Sequence, residues 1–362
     1  MSMAEARILT VAEAIREATD IAMEHDPRIF VMGEGVSDPK AIFGTTAGLA
    51  ERYGAARVME MPIAENGFTG IAIGAAIMGR RPLIVHQRVD FALLSLEQLF
   101  NNAAKTCYVT GGHHTVPLVV RMIVGRGWGQ GPAHSQSLEA LFAMVPGLKV
   151  VMPTTAREAK GQLIAALEDP NPVIMIEHRW VHYATGHVPE GHYTVPLDGP
   201  RRVREGGDVT IVATSYMLLE ALRAAETLNK AGIGADVIDL AVLRPFEPDL
   251  IIESVRRTGR LLFIDTGFRQ FGIGAEVVAT VVEQAFGSLV RPPVRLGLPE
   301  HPTPSSRALL ADFYPTALSI IDAAAALTEV EPERIAVPRA ALAAELAKLP
   351  VDVPHPTFRG PF

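Results

Sequence analysis

The sequence predicts an α/β protein of two domains, each a mostly parallel sheet flanked by helices. Three observations lead there. The chain has 362 residues, 48% hydrophobic and only 20% charged, which suits a well-filled globular protein of two ordinary domains. Short, nearly unbroken aliphatic runs alternate with helical patterns, as strands buried on both faces do. A stretch rich in Pro, Gly and charge, residues 179–208, separates two such series.

The first series opens with "TVAEAIREATDIAMEHD", where Thr10 and Glu13 make a capping box ahead of a helical pattern. "RIFVMGEG" (28–35) reads as a strand ending in a turn. Further strands are "RVMEMPI" (57–63), "RPLIVH" (81–86), "PLVVRMIVG" (117–125), "LKVVMP" (148–153) and "PVIMIEH" (172–178), each bounded by Gly or Pro. Helical segments at 67–79, 92–107, 136–145 and 155–168 lie between them. In the second series, "VTIVAT" (209–214), "ADVIDL" (235–240), "RLLFID" (260–265) and "PPVRLG" (292–297) alternate with helices near 216–232, 247–257 and 274–286. The expected division is a first domain at 1–185, a linker at 186–208, a second domain at 209–330 and a tail at 331–362. The tail carries one short Ala/Leu helix and an extended Pro-rich end.

Composition excludes several classes. A net charge of −7 leaves no basic stripe to neutralise phosphates, so no nucleic-acid partner is expected. Cys107 is the only cysteine, which rules out an intrachain disulfide and Cys-based metal sites. "MSMAEARILT" lacks the apolar core of a signal peptide. The longest apolar run, Gly67 to Gly79, is too short to span a bilayer. A cytoplasmic protein with no membrane partner is the expectation. There is no H-E-x-x-H for zinc and no G-x-S-x-G for a hydrolase.

In "MPIAENGFTGIAIGAAIMG" (61–79) a single carboxylate, Glu65, stands before glycines and aliphatics. An unpaired carboxylate costs several kcal/mol to bury, so such a group is hydrogen-bonded, protonated or functional. Glu65 and Asn66 either cap the following helix or work at the carboxyl end of a strand, where parallel sheets bind ligands. Gly67, Gly70, Gly74 and Gly79 each cost roughly 1 kcal/mol relative to Ala inside a helix, which implies close approach of a backbone or ligand. "GRGWGQGPAHSQS" (125–137) is not a nucleotide loop: it has no Gly-Lys-Ser/Thr, and Gly125-x-Gly127 lacks its third glycine. It delivers His134, either a satisfied loop histidine or an acid–base group. "EDPNP" (168–172) reads as a turn in which Asp169 and Asn171 offer oxygens to a hard cation.

Together, "VMGEGV", "MPIAENGFTGIAIGAA", "FNNAAKTCYVTGG", "PAHSQSLEALFAMVPGLKVVMP", "EDPNPVI", "DVIDLAVLRPF" and "DTGFRQFGIGAE" resemble one family in order and spacing, from about residue 5 to 328. It is the beta subunit of the thiamine-diphosphate-dependent decarboxylating component of 2-oxo acid dehydrogenases, in the transketolase superfamily. The resemblance implies a pyrimidine-binding domain followed by a smaller C-terminal domain. It also implies that Glu65 hydrogen-bonds N1′ of the cofactor's aminopyrimidine and that His134 faces the substrate. Glu34, Ile63, Gln87 and Phe91 would complete the cofactor contacts. Leu118, Ala166, Leu167, Asp169 and Asn171 match a segment that holds potassium in some relatives.

The superfamily's diphosphate site needs a G-D-G segment, which this chain lacks, and Asn101-Asn102 stands within a predicted helix. The resemblance therefore implies an alpha subunit that holds Mg²⁺ and the diphosphate, in an alpha2beta2 heterotetramer, with a lipoyl acyltransferase as a further partner. The chain departs from the pattern at "VHQRVDF" (85–91), where His86, Gln87 and Arg88 replace apolar residues, and in its longer tail. Either Arg88 simply pairs with Asp90 and His86 lies in a loop, or His86, Gln87 and Arg88 meet a polar substrate. Two alternatives to the dehydrogenase follow: a subunit of a split transketolase-like enzyme passing its fragment to a sugar or aldehyde, and a non-catalytic scaffold subunit.

Overall fold

Near-continuous aliphatic runs are stable as strands only when both faces are covered, and the computed structural model buries them that way. It describes residues 7–38, 41–125 and 129–348. Contacts divide these into two units: one of residues 7–125 and 141–197, the other of 129–140 and the described residues from 198 onward.

The first unit contributes six parallel strands in the order Lys149–Val151, Val173–His178, Val119–Val124, Arg81–His86, Ile29–Gly33, Val58–Glu60. Val119–Val124 and Val173–His178 are buried at every position. The helix Val11–His25 starts as its sequence dictates. Glu13 N donates to Thr10 Oγ1 at 3.1 Å and Thr10 N to Glu13 Oε2 at 2.8 Å. That helix packs on Ala156–Glu168, and Glu65–Ile77 packs on Arg81–His86.

The helical stretch expected at 92–107 is one path of changing pitch. It runs through Val89–Ala92, a 3-10 turn at Leu93–Ser95, a π-helical stretch Gln98–Ala103 and Ala104–Val109. Asn101 and Asn102 lie in the π stretch. Sequence periodicity does not register such a local widening.

The second unit orders its strands Val294–Leu298, Leu261–Phe268, Val209–Ala213, Ala235–Asp239, Arg201–Arg204. All pairs are parallel except the last. The segment expected as linker is thus not structureless. Arg201–Arg204 forms an antiparallel edge, and Thr185–His187 pairs antiparallel with Ile8–Thr10 in the first unit. In the tail, Pro332–Leu346 is a helix that packs on Tyr216–Lys230 and Ala317–Thr328. The Pro-rich end expected after it lies outside the described residues. No helix among the described residues is long and apolar enough to cross a membrane.

Candidate active site

The carboxyl ends of Ile29–Gly33 and Val58–Glu60 bring together three acids, Glu34, Glu60 and Glu65. Gly33 permits that convergence: a Cβ there would stand 2.2 Å from Val85 O of the neighbouring strand. Glu60 then fixes the turn after Gly33. Its carboxylate accepts from Gly35 N, from Ser37 N at 3.1 Å and from Ser37 Oγ at 2.8 Å. Glu34 is thereby held inward at 9% exposure, and Glu65 is 3% exposed at the start of Glu65–Ile77.

Glu34 and Glu65 hydrogen bond to each other. Burial, the charge of Glu65, that hydrogen bond and Glu60 push the Glu34 carboxyl up to about 7. Glu34 is therefore partly protonated around neutral pH and can donate to Glu65. Glu65 Oε2 and Glu34 Oε1 are buried without a protein partner. The capping alternative for Glu65 does not describe this helix end. Its N-cap residue is Ala64, and Asn66 Oδ1 instead accepts from Gln98 Nε2 at 2.8 Å.

Around this pair, Ile63 and Gln87 are exposed and Phe91 is half-buried in the short helix Val89–Ala92. The strand containing His86 ends at that residue, the bound expected from "RPLIVH" (81–86). Gln87 nonetheless points to solvent while His86 and Arg88 are buried, as extended backbone requires. His86 is in a strand, not a loop. It packs on Phe68 with ring centroids 5.3 Å apart, and neither ring nitrogen has a partner. Burial pushes its imidazole down to about 4, so it is neutral. Burial also lowers the Arg88 guanidinium, opposed by the charge of Asp90.

His134 belongs to the second unit and is exposed there. Its N–H donates to Gly131 O at 3.4 Å within a turn. Arg126, Gly127 and Trp128 of the same glycine-rich segment lie outside the described residues.

The five residues matched to a potassium segment gather at the opposite edge of the first sheet, where its strands begin. Leu118 O accepts from Val173 N at 2.9 Å, and Ala166 O from Asp169 N at 3.2 Å. Arg81 Nη1 donates to Leu167 O at 2.8 Å and to Asp169 O at 3.1 Å. Asp169 Oδ1 accepts from Asn171 N at 2.8 Å, and Oδ2 pairs with Lys149 Nζ. Positive charge at this segment is thus already supplied by protein. Among the described residues, no group of three or more His, Cys, Asp or Glu could hold a metal ion.

Sequence reasoning missed Glu60 and a buried triad deeper in the first sheet. Arg121 Nε donates to Glu177 Oε1 at 2.5 Å and Nη2 to Oε2 at 2.9 Å, while His182 Nε2 meets Oε2 at 2.8 Å. Burial alone would raise the Glu177 carboxyl. The charge of Arg121 and the hydrogen bonds from His182 and Arg121 outweigh it and bring the group down to about 2. One signal was available: single, opposite charges in two otherwise aliphatic strands.

Comparison with known proteins agrees with this architecture. Residues 8–181 match the family model "Transketolase, pyrimidine binding domain" and residues 200–320 match "Transketolase, C-terminal domain". The chain is 40% identical over 325 residues to subunit beta-2 of the mitochondrial pyruvate dehydrogenase E1 component of Oryza sativa subsp. japonica, covering 89% of this chain and 86% of that one. It is also 40% identical to the beta subunit of acetoin:2,6-dichlorophenolindophenol oxidoreductase from Cupriavidus necator, covering 88% and 97%. A solved split-gene transketolase, in an inactive beta4 tetramer, superimposes with a TM-score of 0.71 at 26% identity, covering 89% of this chain and 98% of that one. The chain belongs to the transketolase-like family of pyruvate dehydrogenase E1 beta subunits.

Proposed function

We propose that this chain is the beta subunit of a thiamine-diphosphate-dependent 2-oxo acid decarboxylating dehydrogenase, in which Glu65 activates the cofactor. The supporting observation is the Glu34–Glu65 pair: two buried acids against each other, Glu34 raised to about 7, and a Glu65 oxygen with no protein donor. An aminopyrimidine ring nitrogen carrying a hydrogen fits Glu65 Oε2.

Thiamine diphosphate supplies the electron sink that a 2-oxo acid needs to lose carbon dioxide. The chain's own residues bind, orient and hold protons. Glu65 would accept a hydrogen bond from ring atom N1′, and the apolar surroundings would strengthen that single bond. Glu34, raised to about 7, would share its proton with Glu65 when it holds one. Ile63, Gln87 and Phe91 would contact the pyrimidine, and His134 would move a proton on the substrate. Without a G-D-G segment, the chain relies on an alpha subunit for Mg²⁺ and the diphosphate, in an alpha2beta2 assembly that a lipoyl acyltransferase would serve as acceptor. A potassium ion at Leu118, Ala166, Leu167, Asp169 and Asn171 would be structural, since that segment lies at the edge away from Glu65. The experiment is reconstitution: decarboxylation of a 2-oxo acid must require both subunits, and turnover by the isolated chain would refute this division of the site.

A second reading has its own support. His86, Gln87 and Arg88 make the segment beside the acid pair polar, and a split-gene transketolase shares the fold along nearly its whole length. On this reading the same pair serves transfer of a two-carbon or acyl unit to a sugar or aldehyde. Product analysis with an aldose acceptor separates the two.

A further inference from the structure

The second unit buries a pair of acids that the proposed chemistry does not use. Glu139 opens the helix Glu139–Ala143 at 1% exposure, and Asp265 lies in Leu261–Phe268 at 2%. Their carboxyls hydrogen bond to each other. Asp265 Oδ1 also accepts from Thr214 Oγ1 at 2.6 Å and from Thr266 N at 2.8 Å. Apart from each other, Glu139 Oε2 and Asp265 Oδ2 find no donor. Two ionised carboxylates are both acceptors, so this contact requires a proton. Gly267 makes room for it. A Cβ there would stand 2.3 Å from Glu139 Oε1 and 3.3 Å from Asp265 Oδ2.

Glu139 closely follows the loop that carries His134, and the other end of that loop leans on Ser305. A Cβ at Gly131 would stand 2.3 Å from Ser305 Oγ, and one at Gly129 would stand 3.3 Å from Ser305 O. Both anchors lie within the second unit. We propose that Glu139 is the positioning residue of this loop: one proton shared with Asp265 clamps residues 129–137 in place, and its loss as pH rises releases them. Only the catalytic consequence of the clamp rests on the role proposed for His134.

Among the described residues, the groups bonded to the pair are uncharged: Thr214, at the end of the neighbouring strand Val209–Ala213, and Thr266 and Gly267 on the strand of Asp265 itself. Asp239, one strand further across the sheet, is matched by Arg201 at 3.8 Å. Burial and the charge of Asp265 push Glu139 well above the carboxylate range. Burial raises Asp265 too, opposed by hydrogen bonds from Thr214, Glu139 and backbone N–H groups. The proton therefore resides on Glu139. An acid that binds its proton more tightly in the closed form favours closure at low pH and opening as pH rises through its raised value.

Hydrogen exchange on the full chain tests the clamp directly, with rates corrected for the intrinsic pH dependence. As pH rises from the ordinary carboxylate range through the raised value of Glu139, protection of residues 129–137 should fall by roughly tenfold per pH unit. Glu139→Gln keeps a donor toward Asp265 but cannot titrate, so its protection should stay level across that range. Gly267→Ala pushes the Glu139 carboxyl aside and should lower protection of 129–137 at every pH while Val209–Ala213 remains protected. The same pH trend in wild type and Glu139→Gln, or an unaltered loop in Gly267→Ala, overturns the proposal. In the assembled enzyme the alkaline limb of kcat should flatten in Glu139→Gln. A clamp seen by exchange with kcat unaltered supports the clamp and tells against the role of His134.

Discussion

Glu34 and Glu65, from two different segments of the first unit, meet as a hydrogen-bonded pair of buried carboxyls at the end of the sheet where its strands terminate. Strand geometry makes the meeting possible, because Gly33 lets the backbone turn against Val85 and Glu60 ties down the turn that follows.

The pair gives folding a pH dependence of defined sign. Glu34, near 7 when folded, ionises at about 4.3 in an unfolded chain. Its folded form therefore binds the extra proton between those values, and stability declines as pH rises through that window. Thermal unfolding of the chain should show a midpoint that drops between about pH 5 and about pH 8, by about 2–4 °C for each kcal/mol lost. Glu34→Gln should flatten that slope and stand above wild type at the alkaline end. Parallel slopes for the two proteins would remove Glu34 as the cause.

The Arg121–Glu177–His182 triad runs the other way. Glu177 is held near 2, so its contribution is fully present above the unfolded carboxylate value and is lost as pH falls toward 2. Glu177→Gln leaves the Arg121 guanidinium buried beside a neutral amide, and breaking such a pair costs about 3–5 kcal/mol. Urea unfolding at neutral pH should read that loss, and the gap to wild type should narrow in acid. A variant within about 0.5 kcal/mol of wild type would show the triad to be dispensable.

How much of this was legible in the sequence depends on what each feature needs. The buried parallel strands were legible because each is an aliphatic run bounded by Gly or Pro, as in "PVIMIEH". Thr10 and Glu13 were legible because a capping box is local. Arg201–Arg204 was read as linker because an edge strand reading Arg-Arg-Val-Arg shows no apolar period. Glu65 stood out as one charge before an apolar helix, whereas Glu34 was named only through the family resemblance and its pairing with Glu65 was not legible, since only strand order brings the two together. Glu139 and Asp265 gave no signal for the same reason: their contact is made by tertiary folding between distant segments.

Subunit dependence gives a binding prediction. The chain alone should bind thiamine diphosphate weakly, by calorimetry, and addition of the alpha subunit should tighten binding and make it Mg²⁺-dependent. The isolated chain should also associate with itself. Tight Mg²⁺-dependent binding by the chain alone, or a strict monomer at micromolar concentration, would contradict the division of labour proposed here.

Gln87 carries a specificity prediction. It is exposed beside the buried His86 and Arg88, where it can meet a polar substrate or acceptor. A site that hydrogen-bonds a hydroxyl rejects a partner lacking it far more strongly than an apolar pocket rejects an extra methylene. The assembled enzyme should therefore prefer a hydroxylated or otherwise polar partner over branched aliphatic 2-oxo acids, and Gln87→Met should erode that preference. Best turnover on 4-methyl-2-oxopentanoate or 3-methyl-2-oxobutanoate, unaffected by Gln87→Met, refutes the assignment.

The most direct test of the account is turnover of the Glu65→Gln variant in the alpha–beta assembly, with bound thiamine diphosphate quantified in the same samples. Gln keeps the size of the side chain and removes the charge that accepts the ring hydrogen. The assembly should stay intact with cofactor still bound, and decarboxylation should fall by about two orders of magnitude or more. Near-normal turnover with the cofactor in place would contradict the account.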